Sequence, residues 1–162
     1  MNAAGTLRIG IVSDTHDVVL AALYDALAGV VEILHAGDIA SAEALAEIET
    51  IAPVIVVRGN MDERALADRL PEEELLTRGG VRIALVHGHR IGRASPDDLA
   101  KRYGGRGVDL VIWGHIHEPV SVEREGLRYF NPGTAGGIGA RPTCRMLSIE
   151  GDDFTIEHVS LG

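Results

Sequence analysis

Cysteine is nearly absent from this sequence: Cys144 is the only one in 162 residues. A single thiol closes no internal disulfide, so the chain has neither a cystine scaffold nor a thiolate-based structural zinc site. Aromatic residues are scarce at 4%, with one Trp, two Phe and three Tyr, so any core has to be largely aliphatic. No apolar run approaches the roughly 20 residues that span a bilayer. The N-terminal stretch MNAAGTLRIGIVSDTH has no basic region leading into an apolar segment of signal-peptide length. A cytoplasmic location and no membrane partner are the expectation. Basic residues are also short: 15 Lys and Arg stand against 24 Asp and Glu, a formal charge of −9. A chain of that sign repels phosphate backbones and anionic lipid, which argues against broad nucleic-acid binding. With 46% hydrophobic and 24% charged residues the chain has an ordinary globular balance, and residues 1–162 read as one domain. Histidine alone is plentiful, with seven copies.

The first two thirds alternate β-branched runs with Ala/Leu-rich stretches. Leu7 to Ser13 reads as a strand buried on both faces, and Val18 to Gly29 as a helix stopped by glycine. Val31 to His35 is a second strand. Ser41 caps a second helix to Ile51, and Pro53 opens a third strand, Val54 to Val57. Leu75 to Arg78 and Val81 to Val86 pair across Gly79-Gly80. Ser95 and Pro96 start a helix to Tyr103, and Leu110 to Trp113 is again a strand. Four further strands close the chain: Val120 to Glu123, Leu127 to Asn131, Thr143 to Ile149 and Phe154 to Val159. The pattern predicts an α/β fold with mixed sheets and helices outside.

Unusual polar residues recur at the strand ends. Asp14 and His16 follow the first strand, Asp38 the second and Asn60 the third. His87 ends the fifth, and His115 and His117 follow the next. The gaps from Asp14 to Asp38, to Asn60, to His87 and to His115 are 24, 22, 27 and 28 residues. Each is close to the roughly 30 residues of a strand–helix–strand passage, so each element delivers one polar group to the same end of the sheet. Carboxylate, amide and imidazole donors suit Mn, Fe, Zn, Ni or Co rather than Ca. Seven such groups exceed what one ion with an open position takes. They match two ions about 3.5–4 Å apart that share a carboxylate, an arrangement used for in-line displacement at phosphorus. Glycines 37, 59, 88 and 114 beside these residues permit sharp turns and close backbone approach.

The blocks SDTH (13–16), GD (37–38), GN (59–60), HGH (87–89), GHIH (114–117) and NPGT (131–134) resemble the calcineurin-like metallophosphoesterases, in particular their small single-domain bacterial and archaeal phosphodiesterases. The resemblance runs from about Arg8 to Thr134. It implies a four-layer αββα sandwich with two mixed β-sheets, and a dinuclear centre of divalent transition metals: Mn foremost, or Ni, Fe or Zn. By carry-over, Asp14, His16 and His117 hold one ion, Asn60, His87 and His115 hold the other, and Asp38 bridges them. A metal-bridging hydroxide is implied as the nucleophile.

One departure bears on mechanism. Larger members of the family have a histidine after the asparagine of the third block, thought to assist the leaving group, whereas this chain reads Gly59-Asn60-Met61-Asp62. Methionine donates no proton, so activity biased toward good leaving groups is expected, with His89 as a candidate helper. His35 is expected as a packed strand-end residue, His158 as solvated and Cys144 as core. Asp62 is expected on the surface, paired with Arg58 or Arg64, with the orienting of a ligand as the alternative. The TAGGIG run (134–139) is expected to be a loop at the rim, and Arg90, Arg93 and Arg141 are candidates to meet substrate phosphate. The reading is a phosphodiesterase acting on a small phosphoester. A phosphomonoesterase or nucleotide phosphatase, and a non-catalytic binding scaffold of the same fold, are the alternatives, and a homo-oligomer is left open.

Overall fold

The computed structural model describes residues 5–162. In chain order its elements begin β1 (Leu7–Val12), α1 (Ala21–Ala26), β2 (Glu32–His35), α2 (Ala42–Glu49), β3 (Val54–Val56) and α3 (Arg64–Ala67). They continue β4 (Glu73–Arg78), β5 (Val81–Val86), α4 (Pro96–Tyr103), β6 (Leu110–Trp113), β7 (Pro119–Arg124), β8 (Leu127–Pro132), β9 (Thr143–Glu150) and β10 (Asp153–Ser160). Two five-stranded sheets result, ordered β10-β9-β1-β2-β3 and β4-β5-β6-β8-β7. In the first, β1, β2 and β3 are parallel while β9 and β10 run antiparallel. In the second, β5, β6 and β8 are parallel, and β4 and β7 form antiparallel edges. Both sheets are mixed, as expected.

Side-chain alternation explains the layering. On β1, Ile9 and Ile11 enter one cluster and Val12 another; on β5, Ile83 and Leu85 part from Ala84 and Val86; on β6, Leu110 and Ile112 part from Val111 and Trp113. The central cluster joins Ile9, Ile11, Leu34 and Leu147 of the first sheet to Ile83, Leu85, Ile112 and Phe130 of the second, so the sheets pack face to face. Leu23, Leu27 and Ile48 of the α1–α2 region cover the outer face of the first sheet, and Leu99 and Tyr103 of α4 cover the outer face of the second. Strands buried on both faces read as continuous apolar runs, which is why LRIGIV and LVIW lack polar alternation. The αββα sandwich is the observed fold.

Local signals set most boundaries. The Ser41 Oγ accepts the Ala44 N–H and caps α2; the Ser95 Oγ accepts the Asp98 N–H, with Pro96 opening α4. Cys144 is fully buried against α1 and α2, and His158 is exposed on β10, both as expected. The Val18–Gly29 helix is shorter than its spacing predicts, because His16 and Asp17 take left-handed backbone and Leu20 is still extended. The single turn of α3 carries too little periodicity to be seen in the sequence. No helix among the described residues is long and apolar enough to cross a membrane.

Candidate metal centre

The sites of interest lie on the loops that leave β1, β2, β3, β5 and β6. The expectation of one sheet end is corrected: Asp14, His16, Asp38 and Asn60 come from the first sheet, His87, His115 and His117 from the second, and the cleft lies where the two edges meet. Asp14, His16, Asp38, His115 and His117 all have φ between 47° and 73°, a left-handed conformation that costs L-residues energy. Five such residues in one cleft mark strain that the surrounding structure must hold in place. Two glycines make the crowding tolerable. A Cβ at Gly59 would lie 2.1 Å from Asp38 Oδ1, and one at Gly114 would lie 2.0 Å from Ser13 Oγ.

Asp14, His16 and His117 form one cluster. His117 Nε2 is 3.2 Å and His16 Nε2 3.7 Å from Asp14 Oδ1, and the two Nε2 atoms are 3.3 Å apart. Ligands at roughly 2.0–2.2 Å around a tetrahedral ion stand about 3.4 Å from one another, which is the spacing seen. The other carboxylate oxygen, Asp14 Oδ2, accepts the Ser13 hydroxyl at 2.6 Å and the His115 N–H at 3.0 Å. Asp14 Oδ1 is therefore fixed in direction, buried, and without a hydrogen-bond partner. A buried carboxylate oxygen in that state is costly unless positive charge faces it, whether an imidazolium or a metal ion. His117 Nδ1 donates to the Ile138 carbonyl at 2.9 Å, leaving Nε2 as the free lone pair.

Asp14, Asp38 and His87 form the second cluster, with Asn60 and His115 beside it. His87 Nε2 lies 3.2 Å from Asp38 Oδ2, 3.0 Å from Asn60 Oδ1 and 3.9 Å from Asp14 Oδ1. His87 Nδ1 donates to the Ala36 carbonyl at 2.7 Å, so Nε2 again faces oxygens with only a lone pair or a proton to offer. His115 turns Nδ1 to Asn60 Oδ1 at 3.2 Å. Asp38 Oδ2 stands between the clusters, 3.7 Å from His16 and 3.2 Å from His87. Its Oδ1 accepts the Met61 N–H at 2.7 Å.

The electrostatics agree with a cation site. Burial alone would raise the Asp38 carboxyl, but the His87 ring, the Met61 N–H and the His16 ring outweigh it and hold it at about 2. Burial likewise opposes ionisation of Asp14, and His16, His87 and the Ser13 hydroxyl reverse the sign, leaving its pKa lowered. The Asp14 carboxylate raises His16. Burial disfavours charge on His87, but Asp38 and Asp14 prevail and raise it. Both carboxylates are ionised at neutral pH and pull protons onto rings whose Nε2 atoms would otherwise ligate.

Further residues brace the loops. His35 is fully buried: its Nε2 meets Thr15 Oγ1 at 3.1 Å and its Nδ1 accepts the Gly37 N–H at 3.1 Å. It is the packed residue expected, and it ties the Asp14 loop to the Asp38 loop. Asp62 is not the surface partner of Arg58 or Arg64. Its carboxylate accepts the Ala40 N–H at 2.8 Å and the Gly59 N–H at 2.6 Å, pinning the Asp38 and Asn60 loops together. The 134–139 run is not merely a rim: Thr134 Oγ1 donates to the Asp14 carbonyl at 2.7 Å, and Ile138 holds His117. Asn131 Nδ2 donates to the Gly114 carbonyl at 2.8 Å. Of the arginines, Arg90 is paired with Glu72 at 3.1 Å, and Arg93 and Arg141 are exposed. His89 lies outside both clusters, its ring centroid 5.4 Å from that of His87. The bracing roles of His35, Asp62, Asn131 and Thr134 were missed, since a hydrogen bond between distant loops leaves no local pattern; for Asp62 and Thr134 adjacency to a ligand block was the only signal.

A two-sheet sandwich with an Asp/His centre at its edge defines a class of metal-dependent hydrolases. Residues 7–152 match the calcineurin-like phosphoesterase superfamily domain, and the chain belongs to that superfamily. It is 36% identical to a protein of Methanothermobacter thermautotrophicus named "Probable metallophosphoesterase", over 96% of this chain and 94% of that one. A solved structure described as a novel archaeal phosphodiesterase superposes with a TM-score of 0.75 at 26% identity, covering 94% of this chain and 100% of that one. Wild-type Vps29 of Entamoeba histolytica, solved with Zn²⁺, shares the fold with a TM-score of 0.81 at 24% identity, covering 96% and 100%.

Proposed function

We propose that this chain is a phosphodiesterase that uses two divalent transition-metal ions, Mn foremost. Asp14, His16 and His117 would hold one ion, Asn60, His87 and His115 the other, and Asp38 both. The observation that carries this reading is Asp14 Oδ1, a buried carboxylate oxygen without a hydrogen-bond partner, 3.2, 3.7 and 3.9 Å from three imidazole Nε2 atoms. When bound, the ions activate a water as nucleophile and neutralise charge developing on the phosphoryl oxygens. The chain itself keeps both carboxylates ionised and braces His87 and His117 through Nδ1, so that Nε2 is presented at no cost in reorganisation. His89, beside His87 and His115, is the candidate to hydrogen-bond the departing oxygen. Met61 offers no proton, so good leaving groups are favoured.

The diester reading draws support from the archaeal phosphodiesterase relative, and a small substrate rather than a nucleic-acid strand from the −9 charge. The test is a screen of metal-reconstituted protein against cyclic nucleotides, acyclic diesters and monoesters, with metal content measured in parallel. Turnover of diesters above monoesters, with about two ions per chain, is expected. Monoester preference would reassign the substrate, and turnover of none would leave a scaffold.

A further inference from the structure

Beside the metal centre, on the His87 side, a pocket of about 240 Å³ opens. Val86, Gly88 and Ile91 line it together with the charged side chains of Glu72, Glu73, Arg90 and Arg102, and His89 joins it to the centre. Three features distinguish it. First, His89 differs from His87 and His117: those two fix Nδ1 on a backbone carbonyl, whereas His89 Nδ1 is buried with no partner. No hydrogen-bond partner at Nδ1 among the described residues selects its tautomer, so its Nε2 can donate to or accept from an occupant. Second, the volume is below the roughly 300–1,000 Å³ of pockets that enclose whole drug-sized ligands, which suits one ring rather than a complete substrate. Third, the apolar side chains of Val86 and Ile91 stand beside two guanidiniums, Arg90 held by Glu72 at 3.1 Å and Arg102 by Glu73 at 3.5 Å, groups that stack on a ring face.

We propose that this pocket binds a planar aromatic ring carried on the leaving alcohol of the substrate, and that Ile91 and His89 determine specificity for it. The proposal rests on the hydrolase reading for the word "leaving", but ring binding itself does not. Two sources share that chemistry, an aryl alcohol and the base of a nucleoside. His89, with its centroid 5.4 Å from His87 and 6.4 Å from His115, spans the short distance between pocket and centre, so a ring seated here leaves its ester oxygen near the ligating side chains.

The test needs no turnover. Amide shifts of the metal-free protein are followed by NMR while p-nitrophenol, adenosine or glycerol is titrated in. Saturable shifts centred on the pocket residues, 72–73, 86–91 and 102, with one or both aromatic compounds, and none with glycerol, are expected; the tighter of the two names the source. Ile91→Trp, which fills the pocket from a half-buried position, should weaken that binding at least tenfold, and Arg90→Ala, on the exposed rim, should weaken it severalfold without risk to the fold. In protein that turns over diesters, Ile91→Trp should lower kcat/KM for an ester with an aromatic leaving group at least tenfold and leave metal content unchanged. No shifts near the pocket with either aromatic compound, or equal shifts with glycerol, would overturn the proposal even if the protein is an active phosphodiesterase. Ring binding in a protein that hydrolyses no phosphoester would overturn the hydrolase reading alone.

Discussion

His16 and His117 meet Nε2 to Nε2 at 3.3 Å although 101 residues separate them. Two imidazole lone pairs do not face each other at that distance without a proton or a cation between them, and His117 has its proton committed to Ile138 through Nδ1. The geometry of the pair therefore depends on the charge state of the centre.

Divalent metal should stabilise the fold by mass action. With Mn²⁺ or Zn²⁺ at 100 times its dissociation constant, the gain is about 2.7 kcal/mol. A thermal shift should rise with metal and fall back on chelation, and His117→Ala should lose most of that response. A melting temperature indifferent to every transition metal would exclude the site.

Asp38→Asn replaces the carboxylate that stands between the clusters with a neutral amide of the same shape. Turnover of an aryl phosphodiester should drop by more than about 100-fold, beyond the effect of losing a mere bracing partner. Circular dichroism should be unchanged, because the Met61 N–H retains an acceptor. A wild-type rate would remove Asp38 from the chemistry.

Asp62→Ala touches no proposed ligand but releases the Ala40 and Gly59 N–H groups. It should cost about 1–3 kcal/mol of stability. Metal affinity should weaken about 10–100-fold as the Asp38 and Asn60 loops part, measured by competition with a chromogenic chelator.

His35 gives a pH signature. Burial depresses its pKa to about 4 from the ordinary 6.5. Between those values the unfolded chain binds more protons than the folded one, so stability falls as pH falls from 6.5 to 4, by about 3 kcal/mol in all. Asp38 acts lower, losing its contribution from about 3.8 toward 2. The difference in unfolding free energy between wild type and His35→Gln should carry the His35 slope, and parallel pH profiles would contradict it.

Met61 is 61% exposed and contributes only its backbone to the Asp38 loop. Met61→His should leave the fold intact and raise rates on poor leaving groups relative to good ones. Proton donation in general contributes about 10²–10⁴-fold, which sets the ceiling. A ratio of rates unchanged between alkyl and aryl esters would show that the proton comes from elsewhere.

Strand positions were legible because β6 is a wholly apolar run and β1 and β5 are apolar but for one arginine near the start, Arg8 and Arg82. The helix caps at Ser41 and Ser95 were legible because capping is a local bond. The late start of α1 was not, since apolar spacing suggests helix from Val18, whereas the chain is still extended at Leu20 after the left-handed turn at His16 and Asp17. Asp62 illustrates the other limit: Arg58 and Arg64 lie within four residues of it in sequence, but its partners are backbone amides 3 and 22 residues away.

The order of Asp, His and Asn behind apolar strands was determined by the sequence alone, because each residue type at a strand end is a local fact and the kind of donor atom it carries comes with the residue. That the donors come from two sheets, that Asp14 Oδ1 is left bare while Oδ2 is satisfied, and that His35, Asp62 and Thr134 brace the loops were decided only by the tertiary structure. The physical reason is that hydrogen bonds and burial between distant segments exist only once the sandwich has closed.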